Sequence, residues 1–350
     1  MVEFSLVLLF ILILGLCFVL MSLFLYLIIK KYLNNQTRQE IAECKEAYRL
    51  DMFRYLQTGE QQLLHVKQGE EEFKALVELL SEYSTVLDGA NVQERISLFA
   101  KQYLTSYIKK ELKQRRWSLR MNALYSIDVF YMDHLRETLH DLYKKKKTTI
   151  AEKAQILKLF ALFNDEQLVY YIKEVNQNIS NFSILSILSK IEEEKFDELV
   201  AEFASLSARM QYMVIETIEK RQLIKHHPFL QKLMLTEDEE LQIRSLKAVA
   251  NIGVRMDWAP IPRLLDSESW QIRMMATKVV GMQRIEPLKG KLIELLSDRE
   301  YMVRSEAAKA ILRFKDGVSI LTSVTKESND LFAKDMAIEW LERESGGYSY

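Results

Sequence analysis

The chain opens on an apolar block. From Phe4 to Ile29 there are 26 consecutive uncharged residues (FSLVLLFILILGLCFVLMSLFLYLII), where roughly 20 suffice for a helix to cross a bilayer core. The pattern predicts one transmembrane helix over 4–29, long enough to tilt. Only Glu3 precedes the block, whereas Lys30, Lys31 and Arg38 follow it. By the positive-inside rule, the amino terminus is expected outside and the remainder in the cytoplasm, as a single-pass protein of the cell membrane. A cleaved signal would want a basic start, a shorter apolar core and a small-residue cleavage site. A lipoprotein signal would want a small residue before Cys17, where Leu16 stands. A soluble core helix is rarely apolar on every face for so many turns.

Polar positions then dominate. Residues 30–94 read as a juxtamembrane helical stalk, with NNQTRQEIAECKEAYR as its polar stretch and Gly59 and Gly69 as interruptions. Phe73, Leu76, Val77, Leu80, Tyr83 and Leu87 then fall at helical spacing before an Asp88-Gly89 turn signal. Three clean heptads are absent, so the stalk gives no coiled-coil signature.

From about residue 95 to 345 the apolar positions recur in pairs of short helical patterns. Three segments superimpose at a spacing of 31. The first has Leu230, Leu233 and Met234, then Leu241, Ser245, Ala248, Val249 and Ile252. The second has Ile261, Leu264 and Leu265, then Ile272, Ala276, Val279, Val280 and Gln283. The third has Leu292, Leu295 and Leu296, then Val303, Ala307, Ala310, Ile311 and Phe314. One column holds Lys247, Lys278 and Lys309, and polar clusters (TEDEE, DSES, SDRE) divide each half from the next. Each unit is thus predicted to be an antiparallel helix pair. One such pair cannot bury its apolar face alone, so neighbours must stack. Looser copies run through Leu119, Arg120, Ala123, Ser126 and Ile127, through Leu199 and Phe203 before Met210, Val214 and Ile218, and through Ala333, Ala337, Trp340 and Leu341. Alternating apolar runs between Leu135 and Ile191 suggest two more units of unfixed register.

Ile272-Arg273 with Ala276, and Val303-Arg304 with Ala307-Ala308 and Ala310, resemble the V-R-x-x-A-A-x-A-L run of HEAT repeats. The first unit departs from it, with Leu241-Gln242 for Val-Arg and Ser245 for Ala. The resemblance implies an all-α chain, an α-solenoid of six to eight stacked antiparallel helix pairs behind the single transmembrane helix.

Composition supports the helical reading and narrows the chemistry. Ten Gly and four Pro in 350 residues are too few for a turn-rich β or α/β architecture. The 48 Lys+Arg against 49 Asp+Glu give a net charge of −1, without the basic excess of a polyanion binder. The two cysteines, Cys17 and Cys44, build neither a disulfide framework nor a thiolate zinc site. Phosphate-loop, dinucleotide, nucleophile-elbow and zinc-protease motifs are all absent from the sequence. Of the five histidines (His65, His134, His140, His226, His227), the His226-His227 pair before Pro228 reads as surface loop, and neither His134 nor His140 has an evident catalytic partner. The acidic runs Glu192–Glu194 and Glu237–Glu240 read as helix starts, where negative charge opposes the helix dipole.

Two basic clusters interrupt this neutrality: Lys109, Lys110, Lys113, Arg115 and Arg116, and then Lys144, Lys145, Lys146 and Lys147. Over 101–147 there are 12 Lys+Arg against 5 Asp+Glu, a local surplus of seven. They are candidate contacts for a partner or for anionic lipid, unless they only solvate helix ends. Trp117, Trp258, Trp270 and Trp340 fall at helix starts or in the last helix. Trp258, Trp270, Arg273 and Arg304 are candidate partner contacts, since binding hot spots favour Trp and Arg. The expected function is a non-enzymatic membrane-anchored scaffold that binds a protein partner, such as a membrane-bound enzyme or assembly, and needs no cofactor or metal. One alternative is a HEAT-like enzyme of the lyase kind; another is a DNA-binding solenoid, although nucleic acid is not the expected partner.

Overall fold

The computed structural model describes residues 2–59, 66, 69–174, 179–255 and 257–346, with side chains from residue 8 onward. His65 and the end of the GGYSY tail beyond Gly346 lie outside the described residues. Every regular element among the described residues is helical, so the chain is all-α. It divides into two compact units, Met1–Asp165 and Glu166–Tyr350.

In the first unit, α1 runs without a break from Val2 to Thr58. The apolar block occupies its first half, where the candidate membrane window is wholly unburied. The described side chains from Leu8 to Ile29 are all exposed. The same helix enters the protein core at its other end, where Met52, Tyr55 and Leu56 are buried. It ends at Gly59, whose φ of +83° is a left-handed C-terminal stop that suits glycine. Arg95 Nη1 donates to the last carbonyls, Leu56 O at 2.8 Å and Gln57 O at 2.6 Å.

Three further elements build a hairpin against α1: α2 (Glu70–Val86), α3 (Ala90–Phe99), which continues through a π-turn, and α4 (Thr105–Glu111). The segment read as a stalk therefore has two parts. Most of residues 30–43 is exposed helix, while residues beyond Cys44 pack with α2 through Ala75, Leu76, Leu79 and Leu80. Then follow α5 (Trp117–Val129), α6 (Arg136–Lys144) and α7 (Ile150–Leu162), with α4 and α6 each packed on the next helix and α5 packed on α7.

The second unit begins with α8 (Leu168–Lys173), α9 (Asn181–Leu188), α10 (Glu193–Ala201) and α11 (Ala208–Lys220). The region of the 31-residue spacing follows as α12 (His227–Leu233), α13 (Glu239–Ile252), α14 (Ile261–Leu265), α15 (Trp270–Gln283), α16 (Lys289–Glu294) and α17 (Tyr301–Leu312). It closes with α18 (Gly317–Glu327) and α19 (Leu331–Ser345). The α13 and α15 boundaries are offset by the period itself. Each second helix packs on the next, α9 on α11, α11 on α13, α13 on α15, α15 on α17 and α17 on α19, while α12, α14, α16 and α18 back their partners. This stacking is compatible with a helical solenoid.

The small residues of the pattern set the helix spacing. A Cβ on Gly281 would meet Ala310 Cβ at 2.6 Å and Ala310 Cα at 2.7 Å, so only glycine admits α17 this close to α15. The acidic runs do start helices: Glu192 precedes α10, and the Asp238 side chain accepts the Leu241 N–H at 2.9 Å to cap α13.

Candidate basic cleft of the first unit

The two basic clusters stand 31 positions apart, Lys113 against Lys144 and Arg116 against Lys147. They span the last turns of α4 and α6 and the α4–α5 and α6–α7 connections that follow, the same turn in successive helix pairs. Side by side, these turns enclose a cleft of about 520 Å³ lined by Leu112, Lys113, Gln114, Arg115, Arg120, Leu142, Lys145, Lys147 and Thr148. Lys109, Lys110, Arg116, Lys144 and Lys146 are exposed near its rim. Equivalent turns of the second unit also enclose clefts, but of different character. One contains Glu237, Arg263 and Asp266, the other Glu294 and Glu327 with Ile293, Ile320 and Val324. The groove thus recurs with the helix pairs, and of these three only the one in the first unit is uniformly cationic.

Arg120 shapes this cleft from behind. Its Nη1 donates to Gln114 O and Arg115 O, both at 2.9 Å, and its Nε donates to Glu152 Oε1 at 2.6 Å. Glu152 is fully buried and forms a capping box with Thr149 at the start of α7. Burial pushes its carboxyl up, but the hydrogen bonds from Arg120 and Thr149 outweigh that and hold it below the ordinary glutamate value. Trp117 Nε1 donates to Thr149 Oγ1 at 3.2 Å, tying α5 to the α6–α7 turn while leaving the indole 49% exposed. The sequence reading missed Arg120 as a cleft residue. Its signal was its place in the second-helix pattern, shared with Arg273 and Arg304.

Those two arginines use the same device in the second unit. Arg273 Nη1 donates to Ser267 O at 2.7 Å and Glu268 O at 2.9 Å, and Arg304 Nη1 donates to Asp298 O at 2.7 Å and Arg299 O at 3.1 Å. In all three cases the acceptors lie six and five residues upstream, in the turn ahead of the helix. Arg273 is buried and makes a bidentate pair with Asp298, Nε to Oδ2 at 2.7 Å and Nη2 to Oδ1 at 2.9 Å. The guanidinium of Arg304 lies over the Phe332 ring at 4.7 Å. Trp258 is 41% exposed ahead of α14, whereas Trp270 at the start of α15 is half-buried.

The surface-loop expectation for the histidine pair is corrected. His226 and His227 are buried rather than on a surface loop, because His226 closes the single-turn helix Ile224–His226 and His227 is the first residue of α12. The His226 ring sits edge-on to Phe196 at 5.7 Å, with Nε2 3.0 Å from Asp197 Oδ1 but without hydrogen-bond geometry. Burial pushes both histidines below the ordinary value. His140 does have an acidic partner: Nε2 is 3.0 Å from Asp165 Oδ2, and its ring stacks on Phe160 at 4.3 Å. His134 Nε2 lies 2.8 Å from Thr105 Oγ1.

No family model matches the chain, and no curated protein matches it. Among solved structures, a crystal structure described as an engineered protein, from the Northeast Structural Genomics Consortium, is similar over 85% of this chain and 87% of that one, at 15% identity and a TM-score of 0.36. Similarity of that degree carries no argument about family or activity.

Proposed function

We propose that the protein is a membrane-anchored recognition scaffold: α1 inserts in the cell membrane, and HEAT-like helix pairs arranged as a solenoid bind a protein partner on the cytoplasmic side. The observation that carries this reading is the continuity of α1. One helix passes from a fully exposed apolar half into the packed core around Met52, Tyr55 and Leu56, so the apolar half and the core of the first unit share one continuous helix. Lys30 and Lys31 at the end of the apolar half support the inward orientation. The exposed surface of the second unit supplies aromatic and thioether contacts such as Trp258, Tyr301 and Met302. Residues of this kind are enriched in interfaces.

Alkaline carbonate extraction and protease accessibility of a carboxy-terminal tag test the anchor and its orientation. Retention in the membrane pellet with the tag on the cytoplasmic side is expected, and release by carbonate refutes the span. Crosslinking in intact membranes is expected to capture one stoichiometric protein, and capture of none refutes the scaffold.

A further inference from the structure

The direction of α2 gives the basic cleft a place relative to α1. Lys45 Nζ pairs with Glu78 at 3.6 Å, Arg49 with Glu82 at 3.8 Å, and the Phe53 ring meets Tyr83 at 6.1 Å. Residue numbers rise together along both helices, so α2 runs parallel to α1. The next segment returns: Phe73 stacks on Tyr107 at 5.4 Å, and Glu70 pairs with Lys110 at 3.3 Å, so α4 ends beside the start of α2. Arg95 agrees, since it holds the far end of α1 close to the opposite end of the same hairpin. The Glu70–Lys110 end therefore lies beside about residues 37–40 of α1. Thr37 is also the first described α1 side chain to lose full exposure.

At a helical rise of 1.5 Å per residue, that level is about 12–16 Å beyond Ile29, the last residue of the apolar block. The headgroup region takes up roughly 5–8 Å of this. The screening length in physiological salt is about 8 Å, and a lysine side chain spans much of what remains. The cations from Lys113 to Arg116 follow directly on this end of α4, and Lys145 and Lys147 line the same cleft as Lys113 and Arg115. Lys110 shares its charge with Glu70 and Arg120 with Glu152, whereas no carboxylate among the described residues pairs with the cations of these two turns. Trp117 and Ile150, 49% and 48% exposed, stand at the same edge. Tryptophan is enriched at membrane interfaces.

We propose that this basic end of the first unit is a second membrane contact, which docks on the anionic phospholipid headgroups of the leaflet where α1 emerges. The proposal rests on the membrane insertion of α1 and goes beyond it, because it assigns lipid recognition to the folded body. Anionic headgroups are the occupant that the geometry favours. Four or more unpaired cations spread over two turns suit a sheet of charges, whereas a single phosphate ion would call for convergent buried donors. Arg120, the cleft arginine placed to supply them, is already committed. Docking would fix the tilt of the whole unit on its helical post.

The full chain in lipid nanodiscs provides the test, read by amide hydrogen exchange in discs of phosphatidylcholine alone and in discs with about one third phosphatidylserine. Exchange at residues 113–117 and 144–150 is expected to slow several-fold in the anionic discs only, and to recover in 0.5 M salt and in Lys145→Glu/Lys147→Glu. The exposed control pair Lys190→Glu/Lys326→Glu is expected to keep the protection. Equal exchange in both discs, or protection that survives reversal of the cleft charges, overturns the proposal. So does equal protection in neutral discs on adding inorganic phosphate, an acidic peptide or an oligonucleotide. A chain that fails to enter discs fails the anchor instead; salt-sensitive flotation with anionic vesicles would then still read the basic end by itself.

Discussion

The arginine turn clamp gives the sharpest test of how the helix pairs hold together, because one motif occurs in two electrostatic settings. Arg273 satisfies two carbonyls and also the buried carboxylate of Asp298, while Arg304 satisfies two carbonyls and stacks on Phe332. Replacing Arg273 with Met keeps the stem but leaves Asp298 buried without its cation. Removing one partner of a buried pair costs about 3–5 kcal/mol. Arg304→Met strands no carboxylate and forfeits hydrogen bonds from a charged donor, about 1.5–3 kcal/mol. For a unit of this size each kcal/mol lowers the melting temperature by about 2–4 °C, so Arg273→Met should melt roughly 6–20 °C lower and Arg304→Met roughly 3–12 °C lower. Asp298→Asn in the Arg273→Met background removes the stranded charge and should recover part of the loss. Circular dichroism melts of the full chain in detergent read all three variants. If Arg273→Met melts no lower than Arg304→Met, or if Asp298→Asn deepens its loss, the buried pair does not carry the clamp.

Other outcomes follow from the same contacts. Gly281→Ala gains helix propensity worth about 1 kcal/mol but drives a Cβ into Ala310. Overpacking costs about 1–3 kcal/mol, so its melting point should fall, while Gly290→Ala, with no atom within 4 Å, should be neutral or rise. Burial holds His134, His226 and His227 below the ordinary value of 6.5, so they resist protonation in the folded chain but not in the unfolded one. Stability should therefore hold above pH 6.5 and fall as pH drops below it, and His226→Gln/His227→Gln should flatten that slope in melts from pH 7.5 to 5.5. Glu152 and Asp298, both held below their ordinary values, should add a second loss at lower pH, as acid protonates them and releases Arg120 and Arg273. A melting point that stays constant between pH 7.5 and 3 would refute both assignments.

Much of the architecture was legible because helix burial writes a period into the chain. The columns Leu241, Ile272 and Val303, and Ala248, Val279 and Ala310, are all buried in α13, α15 and α17. Any residue at those positions faces the next pair, so the sequence repeats wherever the packing does. The uncharged block is likewise legible in the sequence as one helix long and apolar enough to cross a membrane. The basic cleft was half legible. Both clusters were visible, and their 31-residue separation is the repeat period, but the weak pattern before residue 229 left the register unset and their adjacency undeduced.

Composition and periodicity by themselves determined an all-α chain, a helix long and apolar enough to span a membrane, and the pairing of short helices near the carboxy terminus. Only the tertiary structure decided that α1 continues unbroken into the core, that α2 runs parallel to it, that His226 and His227 turn inward, and that Arg120 and Arg273 are spent inside the fold. The physical reason lies in range. Hydrophobic period and helix propensity act between residues a few positions apart, so they can be read along the chain. The direction of a helix after a turn, and the partner a buried arginine finds, depend on groups about 25–40 positions away whose closeness exists only once the helices have packed.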